Sequence, residues 1–421
     1  MRTLSSFYIA GFALLAVIFG LLLRSWVLLV LSIPSISILV FGLLYAPPDE
    51  LDIDINREVE VTQVYEDDEV DIITSITNNG ETIKYLEVLD EISPRLDVSQ
   101  GTNHNIFEIG AGETKSIHYK ICCPVRGEGK VGPIRLRYRD PFELYTREWK
   151  SEETIKLSIL PKIEDIKRVY IRPKYTKNWL GNIRSGAIGV GSEFFALREY
   201  QMGDEMKRIN WRATARYTHP ITNEYEGEQS ADVIILIDAG MDSNVGTVER
   251  NTNNASIRAA ASMAASILED RNRVGMVILG DFLNWVYPGF GRDQFYEIMD
   301  NLSNPSQGGL WDLEDAKWVI NRFFPSKSMV IIVSPLVDPK IMKTVVDLWR
   351  NEYDLLVVSP SPLAIELSEQ DIEDPVAEKI LMMERRNLIN KLWKYAIVVD
   401  WNPNEPLEAA LEVVRRYEMR K

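Results

Sequence analysis

The chain opens with two uncharged apolar stretches, Phe7 to Leu23 (FYIAGFALLAVIFGLLL) and Trp26 to Tyr45 (WVLLVLSIPSISILVFGLLY), with only Arg24 and Ser25 between them. Nothing else in the sequence restricts the fold so strongly. At about 1.5 Å per helical residue, each stretch crosses or nearly crosses a hydrocarbon core of about 30 Å. Backbone in lipid must satisfy its own hydrogen bonds, so each is expected to be a helix. Together they are read as a transmembrane hairpin over residues 1–46, with spans at about 7–23 and 26–45. The arginine between them can reach the interface. A cleaved signal peptide is the other reading. Two apolar segments in succession, and no clear small-x-small site after the first, argue against it.

A hairpin leaves the N-terminus and all that follows residue 46 on one side. Arg2 and Arg57 oppose Arg24, too thin a margin to set the orientation by flanking charge. The only cysteines are the adjacent Cys122 and Cys123. Neighbours on a strand point to opposite faces, so no disulfide framework is expected. That favours the cytoplasm for the soluble part, against two sequons at Asn254-Ala255-Ser256 and Asn301-Leu302-Ser303. A net charge of −15 disfavours nucleic acid and anionic lipid as partners. His104, His118 and His219 are too scattered to build zinc sites or histidine triads.

Residues 51–161 run as short alternating segments such as VEVTQV, VDIITSITNNGE and KSIHYKICCPVRG, divided by turn signals including Asn79-Gly80. This pattern predicts an immunoglobulin-like β-sandwich. From residue 231 to 421 apolar runs alternate with helical periods, beginning with DVIILIDAG and ASIRAAASMAASILEDR. Such alternation predicts an α/β domain with a mainly parallel sheet. Ligands of such sheets bind beyond the carboxyl ends of the strands, where Asp238, Asp281, Ser334 and Asp338 fall.

The densest pattern lies inside residues 162–230, in the run GVGSEFFALREYQMGDEMKRINWRATARYTHPITNEYEGEQS. Phe194 or Phe195, Leu197, Arg198, Glu199, Tyr200, Gly203, Asp204, Ile209, Trp211, Ala213, Thr214, Ala215, Arg216 and Glu224 follow in order. This series resembles the signature of the family known as domain of unknown function 58. The resemblance extends to Arg139-Asp140-Pro141-Phe142-Glu143-Leu144-Tyr145, where the family usually has glycine in place of Glu143. It implies two membrane spans, a β domain, a C-terminal domain similar to the von Willebrand factor A fold, and pairing with a MoxR-type AAA+ ATPase. Read from the residues themselves, Arg198, Arg212 and Arg216 can be forks for phosphate or carboxylate. Interleaved acids favour the other reading, a salt-bridged clasp with Trp211 buried in it.

In von Willebrand A-like domains the metal site follows Asp-x-Ser-x-Ser, with oxygen ligands suited to a hard cation. Here the run is Asp238-Ala239-Gly240-Met241-Asp242-Ser243, and the later strand ends in Ser334-Pro335-Leu336-Val337-Asp338. Gly240 removes one hydroxyl and Asp242 replaces another with a charge. The degenerate set Asp238, Asp242, Ser243, Ser334 and Asp338 therefore supports at most weak Mg²⁺ or Ca²⁺ binding. No Gly-rich phosphate loop, nucleophile elbow or catalytic acid–base pair is present in the sequence.

The expectation is a three-part chain: transmembrane helical hairpin, immunoglobulin-like β domain, and von Willebrand factor A-like α/β domain. Its expected role is that of a non-enzymatic membrane adaptor with a MoxR-type AAA+ ATPase as protein partner. A divalent-metal-dependent hydrolase built on Asp238 and Asp242, or an outward-facing envelope structural protein, are the alternatives.

Overall fold

The computed structural model describes residues 4–44, 51–139, 144, 146–166, 183–217, 219–240, 243–280, 283–303, 313–325, 328–369 and 375–418. Asp242, Asp281, the segment 140–143 and Tyr145 lie outside them. The chain divides into two compact units, Met1–Leu160 and Pro161–Lys421.

In the first unit, α1 (Leu4–Leu22) and α2 (Trp26–Leu44) form an antiparallel pair. Both are long and apolar enough to cross a membrane. Their outward side chains, among them Phe12, Phe19, Trp26 and Phe41, are at least half exposed, so the apolar surface has no protein cover. The helices meet closely at Gly20, where an added Cβ would lie 2.9 Å from the Leu29 side chain. Small residues allow such approach where hydrophobic attraction between helices is weak.

The β region holds β1 (Ile53–Val59), β2 (Gln63–Tyr65), β3 (Glu69–Asn78), β4 (Ile83–Ile92) and β5 (Asp97–Gly101). It continues with β6 (His104–Ile109), β7 (Thr114–Cys122), β8 (Gly127–Arg139), β9 (Thr146–Lys150) and β10 (Ile155–Leu160). One sheet runs β1-β3-β7-β5, the other β2-β10-β8-β4-β6 with β9 paired to β8. Inward residues of both, such as Ile72, Tyr119, Leu86, Leu136 and Ile159, share one core. The alternating sequence thus produces a two-sheet sandwich, since a period of two buries one face of each strand. The Asn79-Gly80 turn joins β3 to β4, which belong to different sheets, so it is a crossing between layers and not a hairpin.

A buried ion pair ties the two layers together. Arg57 of β1 donates to Asp90 of β4 through Nη2 at 2.6 Å and Nε at 3.2 Å. The Thr74 hydroxyl adds a third donor to Asp90 at 3.1 Å. Both charged side chains are nearly inaccessible, at 3% and 1% exposure. Cys123 is also buried, and burial pushes its thiol up to about 12.

In the second unit, β11 (Ile183–Glu199) and β12 (Ile221–Gln229) pair antiparallel as a two-stranded sheet. The excursion between them carries the short helix α3 (Trp211–Thr214). The remainder is α/β: β13 (Asp232–Asp238), α4 (Thr252–Glu269), β14 (Arg273–Leu279), β15 (Leu283–Gly289), α5 (Gly291–Ser303) and α6 (Leu313–Phe323). Then follow β16 (Met329–Val333), α7 (Ile341–Arg350), β17 (Asp354–Pro360), α8 (Pro362–Glu369), α9 (Pro375–Leu392), β18 (Ile397–Trp401) and α10 (Leu407–Glu418).

The six-stranded sheet has the order β15-β14-β13-β16-β17-β18. Only β15 is antiparallel, to β14; the other neighbours are parallel. All of β16 and nearly all of β13 are buried, the expected outcome of continuous aliphatic runs covered on both faces. The strand order reverses between β13 and β16, so the carboxyl ends of these two strands flank a topological switch point. Asp238 ends one of them and Ser334 follows the other.

Candidate functional site

Two candidate regions emerge, one at the switch point and one on the β11–β12 excursion. At the switch point the Asp238 side chain is almost wholly buried, at 5% exposure. Its Oδ2 accepts two hydroxyl hydrogen bonds, from Ser243 and from Ser334, each 2.7 Å. The Gly240 amide approaches Oδ1 at 3.4 Å. Burial pushes this carboxyl above the ordinary aspartate range, while the two hydroxyls pull it the other way.

The surrounding loop is tied down in turn. Thr252, the first residue of α4, donates its hydroxyl to the Ser243 carbonyl at 2.5 Å and accepts from the Val245 amide at 2.9 Å. Ser334 Oγ also accepts the Leu336 amide at 3.2 Å. Leu336 sits at a left-handed φ of 60°, a conformation that this local bond helps to hold.

Of the five residues expected around a metal, the fold therefore joins three: Asp238, Ser243 and Ser334. Asp338 does something else. Its Oδ1 accepts the Lys340 amide at 2.9 Å in the turn that leads into α7, and its charge also acts on Asp238. Asp242 is outside the described residues. Among the described residues no three His, Cys, Asp or Glu side chains converge as a ligand cluster.

A residue that carries no local sequence signal completes this edge of the sheet. Arg385 on α9 donates to the Pro335 carbonyl at 2.7 Å, to Ser359 Oγ at 2.8 Å and to Asp400 Oδ1 at 2.6 Å. It thereby links the ends of β16, β17 and β18.

The second region is built around Arg198 near the end of β11. Its guanidinium takes Asp204 in bidentate fashion, with both N–O distances 2.7 Å, and Nε donates to Glu224 Oε1 at 2.7 Å. The Gln201 amide also donates to Asp204 at 2.9 Å. Arg198, followed by the Gln201 amide, holds the Asp204 carboxyl below the usual range. Gly203 lies between these residues at φ 115°, where a side chain would be strained. Glu199 pairs with His219 at 3.3 Å.

Further on, Asn210 caps α3 by accepting the Ala213 amide at 2.9 Å and donates to Asn223 at 2.8 Å. The Thr214 hydroxyl accepts the Ile221 amide at 3.0 Å. The excursion is thus pinned to its own strands at Arg198, Asn210 and Thr214.

The expected clasp is corrected in one respect. Arg198 is locked by acids, but Trp211 is 68% exposed, and Arg212 and Arg216 lie on the surface. Helical geometry gives the reason. Ala213 and Thr214 turn toward β12, so Trp211, Arg212 and Arg216 are carried to the opposite side of the short helix. Leu197 is also 44% exposed, while Ala213 is buried.

Against known proteins, uncharacterized proteins of Mycobacterium bovis and Mycobacterium tuberculosis are each 25% identical over 201 residues, covering 47% of this chain. The chain spans 61% of the length of these relatives. Among solved structures, the CARDB domain of a Pyrococcus furiosus protein has a TM-score of 0.20 at 12% identity, covering 27% of this chain and 90% of that one. Part of Escherichia coli alpha-2-macroglobulin reaches 0.24 at 15% identity, covering 32% and 20%. Likenesses this low have no bearing on fold or function. The family comparison does, because residues 196–395 match the family described as "Protein of unknown function DUF58", a stretch that begins at the Arg198 lock and runs past α9. Residues 196–395 are thus the part of the chain that is similar to the DUF58 family.

Proposed function

We propose that this protein is a membrane-anchored, non-enzymatic adaptor that presents a von Willebrand factor A-like domain to a protein partner. The observation that carries the reading is the saturation of Asp238. Asp238, the buried carboxylate at the switch point, spends Oδ2 on two serine hydroxyls of its own chain. A divalent cation of the hard type asks for about six oxygen ligands with more than one carboxylate among them in most sites. Among the described residues, one buried carboxylate and two hydroxyls do not fit a resident cation. The site is read as a latch that ties β13 to β16 and α4.

Further support comes from the strand order, which has the single antiparallel edge strand expected of a von Willebrand A-like sheet, and from the sandwich, read as an immunoglobulin-like spacer. The two apolar helices are the proposed anchor, with the soluble parts in the cytoplasm. A MoxR-type AAA+ ATPase is the proposed partner, and assembly or maturation of other proteins the proposed task. Affinity purification of the full chain from native membranes, after mild crosslinking, tests the reading. A stoichiometric ATPase is the expected result. Recovery of the chain without any protein partner, or metal-dependent turnover lost in Asp238→Asn, would overturn it.

A further inference from the structure

Arg212 and Arg216 stand one helical turn apart on the exposed side of α3. The turn continues past the helix, since the Arg216 and Tyr217 amides both donate to the Ala213 carbonyl at 2.9 and 3.1 Å. Positions four apart on a helix are neighbours, and like charges there repel. The arginines that fasten the fold are placed differently. Arg57, Arg198, Arg273 and Arg385 each reach a carboxylate within 2.9 Å. Arg212 and Arg216 have no acid against them among the described residues, in a chain of net charge −15.

The same excursion also exposes apolar side chains. Trp211 shares its side of the helix, and the same excursion leaves Met202, Met206 and Tyr217 exposed at 103%, 74% and 56%. Tryptophan, tyrosine, methionine and arginine are the side chains enriched at protein interfaces and their hot spots. The frame beneath is rigid, because Arg198, Asn210 and Thr214 pin the excursion to β11 and β12. A preorganised surface loses little entropy on binding.

We infer that the face formed by Trp211, Arg212 and Arg216 docks an acidic, amphipathic segment of a partner protein, with two partner carboxylates meeting the arginines and an apolar side chain meeting Trp211. The inference rests on the adaptor reading and names the chemistry of what the adaptor holds. An anionic lipid surface offers the same charge, but the strongly negative net charge of the chain opposes it.

The test uses the full chain in neutral-lipid nanodiscs and a labelled amphipathic peptide of glutamate, leucine and alanine. Its lysine-for-glutamate counterpart and phosphatidylserine vesicles are the other probes. Binding of the acidic peptide is expected, weakening with salt, and falling by roughly tenfold or more in Arg212→Ala/Arg216→Ala and in Trp211→Ala. Both variants should melt with the parent, because the substituted side chains are exposed. Arg212→Glu/Arg216→Glu should reverse the preference toward the lysine peptide. Equal binding of both peptides, or acidic-peptide binding that survives the arginine substitutions, would overturn the inference. Vesicle binding that is lost in the same variants, without peptide binding, would give the face to lipid and overturn it too. If a partner co-purifies from membranes yet is retained by the double alanine variant, the adaptor reading stands and this assignment of its surface falls.

Discussion

The hydroxyl of Ser334 donates to Oδ2 of Asp238 at 2.7 Å across 96 residues of sequence. The bond joins the ends of two adjacent parallel strands at the point where the sheet reverses its winding. Because Asp238 is nearly inaccessible, water cannot replace a lost donor. Ser334→Ala should therefore destabilise the protein by about 1–3 kcal/mol, the cost of under-satisfying a buried polar group. Melting of the full chain in detergent measures this, and an unchanged Tm would show that the bond is idle.

The pH dependence of the same residue has a definite sign. Burial raises the folded-state pKa of Asp238 above its unfolded value of about 3.9. Its favourable contribution is then complete below that value and is lost as pH rises through the folded pKa. Compared with Asp238→Asn, the wild type should lose ground as pH climbs from about 4. Melting both proteins across that range tests the direction; a wild type that gains relative to the variant would refute the burial argument.

Metal addition separates a latch from a binding site. A cation at a hundred times its dissociation constant would contribute about 2.7 kcal/mol, a shift of several degrees. Mg²⁺ and Ca²⁺ are expected to leave the Tm of the full chain unchanged. A saturable rise, absent in Asp238→Asn, would show resident-cation chemistry.

In the sandwich, Arg57→Ala should cost about 3–5 kcal/mol, because it strands Asp90 as a buried unpaired charge. The double change Arg57→Met/Asp90→Leu should recover much of that loss. If the double variant is no more stable than the single one, charge desolvation is not the cause.

The Arg198 lock carries the opposite pH signature from Asp238. Asp204 is held below the ordinary range by Arg198, so the support it provides is present above about pH 3.9 and fades as pH falls through the lower folded value. Limited proteolysis within Tyr200–Pro220 should accelerate in Arg198→Ala at neutral pH. Arg198→Lys should not restore protection, since lysine cannot make the bidentate contact. Protection by lysine equal to that by arginine would show that charge alone suffices.

Much of this architecture was written in periodicity. The two uncharged runs are α1 and α2, the period-two segments are the sandwich strands, and the aliphatic run ending at Asp238 is β13. Local pattern suffices there because burial on one face, burial on both faces and an uninterrupted apolar run leave distinct spacings. It did not reveal β15, whose sequence LNWVYPG contains a proline and only short alternation, nor the long paired strand β11. The sites depended on tertiary structure throughout. Asp238 and Ser334 were legible as strand ends, but that they bond to each other, while Asp338 accepts the Lys340 amide ahead of α7, follows from the adjacency of β13 and β16. The pairing of Arg57 with Asp90 and the reach of Arg385 to three strand ends likewise have no sequence-local cause. For Trp211 the composition alone pointed inward, since a large aromatic among balanced charges reads as core. What decided the matter was which side of a four-residue helix faces β12, and that side holds Ala213 and Thr214.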